Sequence, residues 1–302
     1  MLRILKKQLL EIKDICKSFN DKEVLRNLSL KIDSGRIFGL VGINGAGKST
    51  LLRIVSGVYE ADSGLVLFDG KNTRTDEEVR RDILYLSDDP YYTKTSTIKS
   101  LKEYYQTFYN FDENEYYRYL NLFKLDPNKP LINFSKGMKR QAFLIFAFAI
   151  KPKLLILDEA FDGLDPVVRT TFKSLLIKLI DENSVTVIIS SHNLRELEDI
   201  CDSFGLLDHC EISTSGDIEE SKEMISKYQL AFENGIPEEI YHDFNILHHK
   251  ATGRVLTIVV KGNKDEIINR LKKYNPLMID YLNVDFEELF IYEVESRGLN
   301  NE

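Results

Sequence analysis

A glycine-rich segment in the first fifth of the chain has the residue types that bind phosphate. It contains the pattern G-x-x-x-x-G-K-[ST], with Gly42, Gly47, Lys48 and Ser49 at the fixed positions. An apolar run, Ile37–Val41, precedes the pattern and helix-forming residues follow it. This order of strand, loop and helix is the context in which the pattern indicates a phosphate site. The structural alternative is a glycine-rich turn, which the complete spacing disfavours.

Each residue type in this loop would supply a different part of a nucleotide site. Glycines let backbone N–H groups approach phosphate oxygens without a Cβ in the way. Lys48 is expected to reach the β- and γ-phosphates, and Ser49 to offer its hydroxyl to Mg²⁺. The positive end of the following helix adds attraction for the anion. The predicted phosphate-binding residues are Asn44, Gly45, Ala46, Gly47, Lys48, Ser49 and Thr50.

A second set of reactive side chains follows a continuously apolar strand at 154–157. Such a strand is typical of a parallel sheet covered on both faces, and it ends in Asp158 and Glu159. Open α/β sheets bind ligands at that edge, so we predict Asp158 as a ligand of Mg²⁺ and Glu159 as the residue that polarises a water. His192 follows the next predicted strand, 185–190, and is expected at the same edge. Surface acids and lone histidines are common, and the phosphate loop is what favours a functional role.

The rest of the first 216 residues alternates between predicted strands and helices. Two loosely alternating runs, 9–15 and 28–32, indicate a half-exposed antiparallel sheet. The aromatic-rich segment 97–125 is helical in pattern, which favours packing in a helical subdomain over a ligand cage. Ser135 is a predicted N-cap for a helix that continues to 149. Further strands are predicted at 65–68 and 82–86, and further helices at 167–180 and 193–201.

Shorter elements after Asp217 indicate a separate α+β domain without a catalytic motif. We therefore predict a catalytic domain over 1–216, with a helical subdomain at about 91–150, and an accessory domain over 217–302. In the accessory domain, helices are predicted near 217–227, 263–274 and 285–296, and strands near 228–233, 244–251, 254–261 and 277–284.

Composition excludes several classes of protein. The net charge is −8, and neither part of the chain has the basic stripe of a nucleic-acid binder, so no nucleic-acid partner is expected. The longest apolar run, 142–150, is shorter than the ~20 residues that cross a bilayer. We expect a cytoplasmic protein, since no leader is recognisable and three scattered cysteines, Cys16, Cys201 and Cys210, fit a reducing compartment.

One aromatic residue upstream of the phosphate loop has two possible roles. Phe19 lies in a predicted turn, 17–21. By composition it would be a core residue, but a flat apolar face could also stack against a nucleotide base.

With these motifs, residues 9–216 resemble the ATP-binding subunit of an ABC transporter. The resemblance implies a P-loop NTPase cassette of the α/β class, with a mixed sheet, an antiparallel β edge subdomain and an inserted helical subdomain, followed here by the small α+β domain. In order, Gly42 to Thr50 resembles Walker A, Phe134 to Met138 the family signature, Leu154 to Glu159 Walker B, Gly163 to Asp165 the D-loop and Ser191-His192 the switch histidine, while Phe19 falls at the adenine-stacking position.

The resemblance implies a mechanism in which two cassettes, identical or homologous, face head to tail around two MgATP molecules. Ser135 and Gly137 would contact the γ-phosphate of the partner's ATP, and Glu159 would act as the base. His192 would hold the γ-phosphate and the attacking water, and Asp165 would couple the two sites. Hydrolysis would separate the cassettes and drive an integral membrane permease on a separate chain, which implies a location at the cytoplasmic face of the membrane.

Three residues depart from the family pattern. Lys136 replaces the second signature glycine, and Ala160 replaces the proline that usually follows the glutamate. Asp88 stands at the position of the Q-loop glutamine. We expect Asp88 to meet the metal through a water and to matter more for coupling to the permease than for basal hydrolysis.

The sequence leaves the cargo and two rival functions open. The signature and the appended domain are similar to bacterial cassettes that export peptides or antimicrobials, which suggests a peptide, antimicrobial or similar amphipathic substrate. One rival is a soluble, non-transport cassette ATPase with a regulatory role, and the other is a regulator that binds nucleotide without hydrolysis. Intact Lys48, Asp158, Glu159 and His192 argue against the second rival.

Overall fold

The chain forms two compact units that divide between Ser215 and Gly216. The structure, a computed structural model, describes residues 8–285, 287–288 and 291–292. None of the helices in these ranges combines the length and the apolar character that a bilayer span requires.

The described chain up to Asp217 contains ten strands and seven α-helices. The strands are β1 (Gln8–Phe19), β2 (Lys22–Asp33), β3 (Ile37–Val41), β4 (Ser63–Phe68), β5 (Lys71–Asn72), β6 (Ile83–Leu86), β7 (Leu154–Leu157), β8 (Thr186–Ser191), β9 (Ser203–Asp208) and β10 (Glu211–Asp217). The helices are α1 (Lys48–Val55), α2 (Glu77–Arg80), α3 (Ile98–Phe108), α4 (Glu113–Phe123), α5 (Lys136–Ile150), α6 (Pro166–Asn183) and α7 (Leu194–Glu198).

Two sheets make up the first unit. Strands β2, β1, β4 and β5 form an antiparallel sheet in that order, as the alternating runs predict. The larger sheet has the order β10-β9-β3-β8-β7-β6, and its strands from β9 to β6 pair in parallel. All residues of β3 and β7 are buried, because apolar side chains on both faces need cover from both sides.

The helical region packs around the aromatic side chains of α3, α4 and α5. Tyr105 stacks on Phe146 with ring centroids 4.6 Å apart, and Tyr119 stacks on Phe148 at 4.4 Å. This packing confirms a core role for Tyr105, Tyr116 and Tyr119, whereas Tyr104, Phe108 and Tyr117 are more than half exposed. The pattern at 97–125 is divided into two helices, because Asp112 caps α4 through the N–H groups of its first turn.

The second unit is a four-stranded antiparallel sheet with helices that pack on it. After α8 (Ile218–Glu223) come β11 (Ile225–Ala231), α9 (Ile240–Asp243), β12 (Ile246–Thr252), β13 (Val255–Lys261), α10 (Lys264–Leu271) with a short 3₁₀ turn at Lys272–Tyr274, and β14 (Met278–Leu282). From β11 onward the connectivity is β-α-β-β-α-β, with the strand order β12-β13-β11-β14, as in ferredoxin-like domains. Apolar residues of the sheet and of α9 and α10 form its own core.

Several predicted boundaries were wrong. The helix near 217–227 ends at Glu223, because the chain from Ile225 pairs with both β13 and β14. The predicted helix 193–201 is only α7, and the predicted turn 17–21 is shorter because Lys17 to Phe19 belong to β1. Strands β9 and β10 were not predicted. Of the helix predicted at 285–296, residues 287–288 and 291–292 are helical, and most of the remainder lies outside the described residues.

Candidate functional site

The predicted reactive residues lie at the carboxyl edge of the parallel sheet. Strands β3, β8 and β7 are neighbours, with Val41 paired to Ser191 and Leu157 paired to Ile189. The glycine loop, the two carboxylates and His192 each follow one of these strand ends. Parallel pairing therefore brings together three segments that are far apart in the chain.

The glycine loop has the backbone conformation that a phosphate cradle requires. Gly45 and Gly47 have φ angles of 84° and 108°, which favour glycine, and Gly47 is the N-cap of α1. A Cβ at Gly47 would also come within 2.9 Å of the Val24 carbonyl oxygen. Asn44 and Gly45 are exposed, whereas Lys48 is buried. Ser49 and Thr50 lie in the first turn of α1, next to the loop.

Lys48, Glu159 and His192 form a contiguous group. The Lys48 Nζ atom donates to the carbonyl of Gly42 at 2.7 Å and lies 3.5 Å from the Glu159 Oε1 atom. The other carboxylate oxygen, Oε2, lies 3.0 Å from Nδ1 of His192. Glu159 has a φ angle of 47°, so the residue after Asp158 adopts a left-handed conformation that a non-glycine residue seldom adopts. The carboxylate of Glu159 therefore lies between the loop lysine and the histidine.

Asp158 is buried beneath this group and accepts two hydrogen bonds from hydroxyl groups. Tyr85 on β6 donates to Oδ2 at 3.1 Å, and Ser190 on β8 donates to Oδ1 at 2.6 Å. Burial raises the pKa of the Tyr85 phenol, and the negative charge of Asp158 raises it further, so the phenol keeps the proton that it donates. Sequence reasoning missed both donors. The available signal was Tyr85 within the otherwise apolar β6 and Ser190 directly after the apolar residues 187–189 of β8.

Arg140 links this edge to the segment that contains Asp88. Arg140 is buried on α5, where its guanidinium donates to the backbone carbonyls of Asp158 at 3.3 Å and of Glu159 at 2.9 Å. It also donates to the carbonyl of Ser87 and pairs with the carboxylate of Asp88. The partners of the Asp88 carboxylate are thus Arg140 and, at 3.9 Å, Lys136, rather than the other predicted metal ligands. Arg140 was also missed, although it is a basic residue two positions before the apolar run of α5 at 142–150.

The start of α5 packs against the predicted D-loop of the same chain. Ser135 caps the helix by accepting from the Met138 N–H at 3.2 Å, as predicted. Lys136 pairs with Asp162, and this hydrogen bond lowers the pKa of the Asp162 carboxyl. A Cβ at Gly137 would lie 3.2 Å from the Gly163 carbonyl oxygen, so the two segments are in close contact. The lysine that replaces a family glycine thus has an acidic partner within this chain.

Phe19 and Asp165 have local partners as well. Phe19, at the end of β1, is 42% exposed, so part of its ring is accessible to a ligand. Its other contacts are an edge-on approach to Tyr59 with ring centroids 5.7 Å apart and the ammonium group of Lys17 at 5.3 Å. The side chain of Asp165 caps α6 by accepting two backbone N–H bonds at 3.0 Å. A capping role accounts for Asp165 without a second cassette.

The donor set fits a hard divalent cation. A buried carboxylate is costly unless it is paired, and the two side-chain partners of Asp158 are neutral hydroxyl groups. Ser49 can add a hydroxyl oxygen, and Mg²⁺ prefers oxygen ligands while it retains several waters. Ser49 and Asp158 are therefore suitable ligands, whereas the carboxylate of Asp88, the third predicted ligand, pairs with Arg140 in this structure.

Comparison with known proteins places this chain among the ATP-binding proteins of ABC transporters. Residues 25–162 match the family model described as ABC transporter. The ABC transporter ATP-binding protein YtrB of Bacillus subtilis (strain 168) is 32% identical over 94% of this chain and 97% of its own length. The lantibiotic transport ATP-binding protein SrtF of Streptococcus pyogenes is 32% identical over 66% of this chain and 86% of its own length.

The third relative is the methionine import ATP-binding protein MetN of Clostridium acetobutylicum, 31% identical over 70% of this chain and 69% of that protein. The solved structure of an ATP-binding subunit of an ABC transporter matches with a TM-score of 0.65 at 29% identity, and covers 71% of this chain and 92% of that one.

Proposed function

The chain belongs to the ATP-binding proteins of ABC transporters, which hydrolyse ATP to power transport, and we propose that it hydrolyses MgATP between two head-to-tail cassettes to drive a separate membrane permease. The observation that carries this proposal is the position of the Glu159 carboxylate at the carboxyl edge of the parallel sheet, 3.5 Å from Lys48 and 3.0 Å from His192. The cytoplasmic face of the membrane is the location that this function requires.

These contacts support separate roles for the three side chains. Glu159 has the position of a general base that takes a proton from the attacking water. Lys48, at the start of α1, supplies positive charge for the β- and γ-phosphates. His192 is more exposed than either and can donate to the γ-phosphate while Glu159 orients its ring.

Ser49 and Asp158 would hold Mg²⁺. When bound, the ion neutralises the charge that develops on the phosphate oxygens. Asp158 supplies the buried carboxylate and Ser49 the hydroxyl, and the loop residues Asn44 to Thr50 bind the phosphates through their N–H groups. Phe19 offers the exposed face of its ring to the adenine.

A second cassette would complete each ATP site. The N-terminal end of α5, with the hydroxyl of Ser135 and the N–H of Gly137, is suited to the γ-phosphate of ATP in the partner. Asp165 would couple the two sites through the α6 start that it caps. The partner is a second copy of this chain or a homologous cassette.

The cargo that we propose is a peptide, an antimicrobial or a similar amphipathic molecule, moved outward. Support comes from the Ser-Lys-Gly-Met signature, the appended domain and the lantibiotic transport relative. The methionine import relative shows that the same level of similarity extends to other cargo. Purification of this chain together with its permease, followed by transport in vesicles, tests direction and substrate.

Two variants test the proposed hydrolysis. Glu159→Gln keeps the shape of the side chain but loses the base, so we expect it to bind MgATP and to lose at least about a hundred-fold in turnover. Lys48→Ala should weaken both binding and turnover. Glu159→Gln should also form a dimer with saturating MgATP in light scattering, because the bridging phosphate persists. Steady-state ATPase activity at the wild-type level in Glu159→Gln would disprove the assignment of the base.

A further inference from the structure

The carboxylate of Asp158 is held on both of its oxygens by side chains from the two neighbouring strands. Asp158 is 1% exposed and follows β7. Tyr85 reaches Oδ2 from β6, and Ser190 reaches Oδ1 from β8. The strand register brings both donors to the end of β7, since Tyr85 pairs with Ile156 and Ile189, next to Ser190, pairs with Leu157.

We propose that Tyr85 and Ser190 are positioning residues that orient Asp158 for the metal complex of ATP, an inference that rests on the metal role proposed for Asp158. Mg²⁺ requires nearly octahedral geometry, so a carboxylate that rotates freely binds it less well. Two hydrogen bonds fix the plane of the carboxylate before the metal arrives. Loss of such an outer hydrogen bond typically weakens metal affinity by about 10- to 100-fold.

Tyr85 also interacts with a residue of α1, the helix that contains Ser49. Burial lowers the pKa of Arg53 on α1, but interactions with the phenols of Tyr85 and Tyr59 outweigh burial together and raise this pKa. The guanidinium of Arg53 also donates to the Tyr59 hydroxyl at 3.3 Å. Side-chain contacts thus run from α1 to Tyr85 and on to Asp158, and they link the elements that carry the two proposed metal ligands.

Ser190 makes a second hydrogen bond, to the backbone of Glu159, that Tyr85 does not make. Its Oγ atom accepts the N–H of Glu159 at 3.0 Å while its hydroxyl proton is donated to Asp158. Glu159 is the residue with a φ angle of 47°, so this hydrogen bond helps to hold the proposed base in its left-handed conformation. Removal of the Ser190 hydroxyl should therefore affect both the metal and the base, whereas removal of the Tyr85 hydroxyl should affect the metal alone.

The test compares ATP binding by calorimetry in Mg²⁺ with ATP binding in EDTA. We expect Tyr85→Phe to reduce the gain in affinity from Mg²⁺ about ten-fold and to leave metal-free affinity unchanged. Tyr109→Phe is the matched control, since its partly buried hydroxyl donates to the Ile83 carbonyl on the same strand at 3.2 Å without contact to the carboxylate. Ser190→Ala should reduce the gain from Mg²⁺ and also lower kcat at saturating MgATP.

The outcomes separate this inference from the proposed function. If Asp158→Asn loses the gain from Mg²⁺ but Tyr85→Phe keeps all of it, the positioning role of Tyr85 is wrong while the metal role stands. If Tyr85→Phe does not fold, as judged by thermal unfolding, Ser190→Ala decides, and a full gain from Mg²⁺ in that variant overturns the proposal. If Asp158→Asn keeps the gain, the metal role of Asp158 fails together with the inference that rests on it.

Discussion

Asp88 is the residue at which the sequence and the family pattern differ most, and its contacts now suggest how it acts. Its carboxylate pairs with Arg140, whose guanidinium also donates to the carbonyls of Ser87, Asp158 and Glu159. The three carbonyls would keep Arg140 in place without Asp88. We therefore propose that Asp88 couples the position of its segment to the catalytic edge and is not required to form that edge.

For Asp88→Ala we expect basal ATPase activity within about three-fold of wild type and a large loss of transport in reconstituted vesicles, since Arg140 keeps its carbonyl acceptors. Asp88→Gln restores the residue of the family pattern and should preserve both activities. Parallel measurement of ATPase activity and transport gives the comparison. A loss of basal ATPase in Asp88→Ala as complete as that in Glu159→Gln would show that Asp88 is a primary catalytic or metal residue.

At the scale of elements, the first residues of α5 have two roles, one structural and one proposed for ATP binding. Ser135 caps the helix, and the same hydroxyl is proposed to face the γ-phosphate of a partner cassette. Lys136 contributes little stability through its pair with Asp162, since both side chains are about half exposed. The capping role of Ser135 and its proposed phosphate contact can be tested separately, because a carboxylate at this position would still cap the helix but would repel a phosphate.

Ser135→Ala removes the cap and should destabilise the chain by about 1 kcal/mol in urea unfolding. Ser135→Asp keeps a capping oxygen and should recover this stability, but its carboxylate would repel a γ-phosphate. In the Glu159→Gln background we expect Ser135→Asp to prevent the dimer that forms with MgATP, and Ser135→Ala to weaken it. Normal dimer formation by Ser135→Asp in light scattering would contradict the phosphate contact.

At the scale of the whole molecule, the two units have separate cores. The cassette core includes β1, β3 and α1, whereas the accessory core consists of residues from β11 onward. The described part of the accessory unit contains no group of three or more residues that could hold a metal. We propose that residues 217–302 regulate or stabilise pairing and do no chemistry, because the residues of the proposed site, from Phe19 to His192, all lie in the first unit.

A chain that ends at Gly216 should fold and bind ATP with an affinity close to that of the full-length protein, because every residue of the proposed site lies before that point. The relative SrtF supports this division, since its match covers 66% of this chain but 86% of its own length. Calorimetry measures binding, and circular dichroism measures folding. A truncated chain that is well folded but does not bind nucleotide would show that the division of roles is wrong.

The amino-acid sequence by itself determined those features that arise from residues close together in the chain. The glycine loop, the cap at Ser135 and the apolar strand before Asp158 each follow from residues a few positions apart, and the structure confirms these elements. The antiparallel edge also followed from alternation. The match to the family then fixes the function as an ATP-binding protein of an ABC transporter.

Tertiary structure alone decided which distant side chains meet. Asp158 lies 73 positions from Tyr85 and 32 from Ser190, and no local pattern encodes that β6, β7 and β8 are neighbours in the sheet. The same holds for Arg140 and Asp88, 52 positions apart. The end of α8 and the start of β11 were misjudged for this reason, since pairing with β13 and β14 makes the segment a strand. Long-range pairing, rather than propensity, set these features because its hydrogen bonds form only in the assembled sheet.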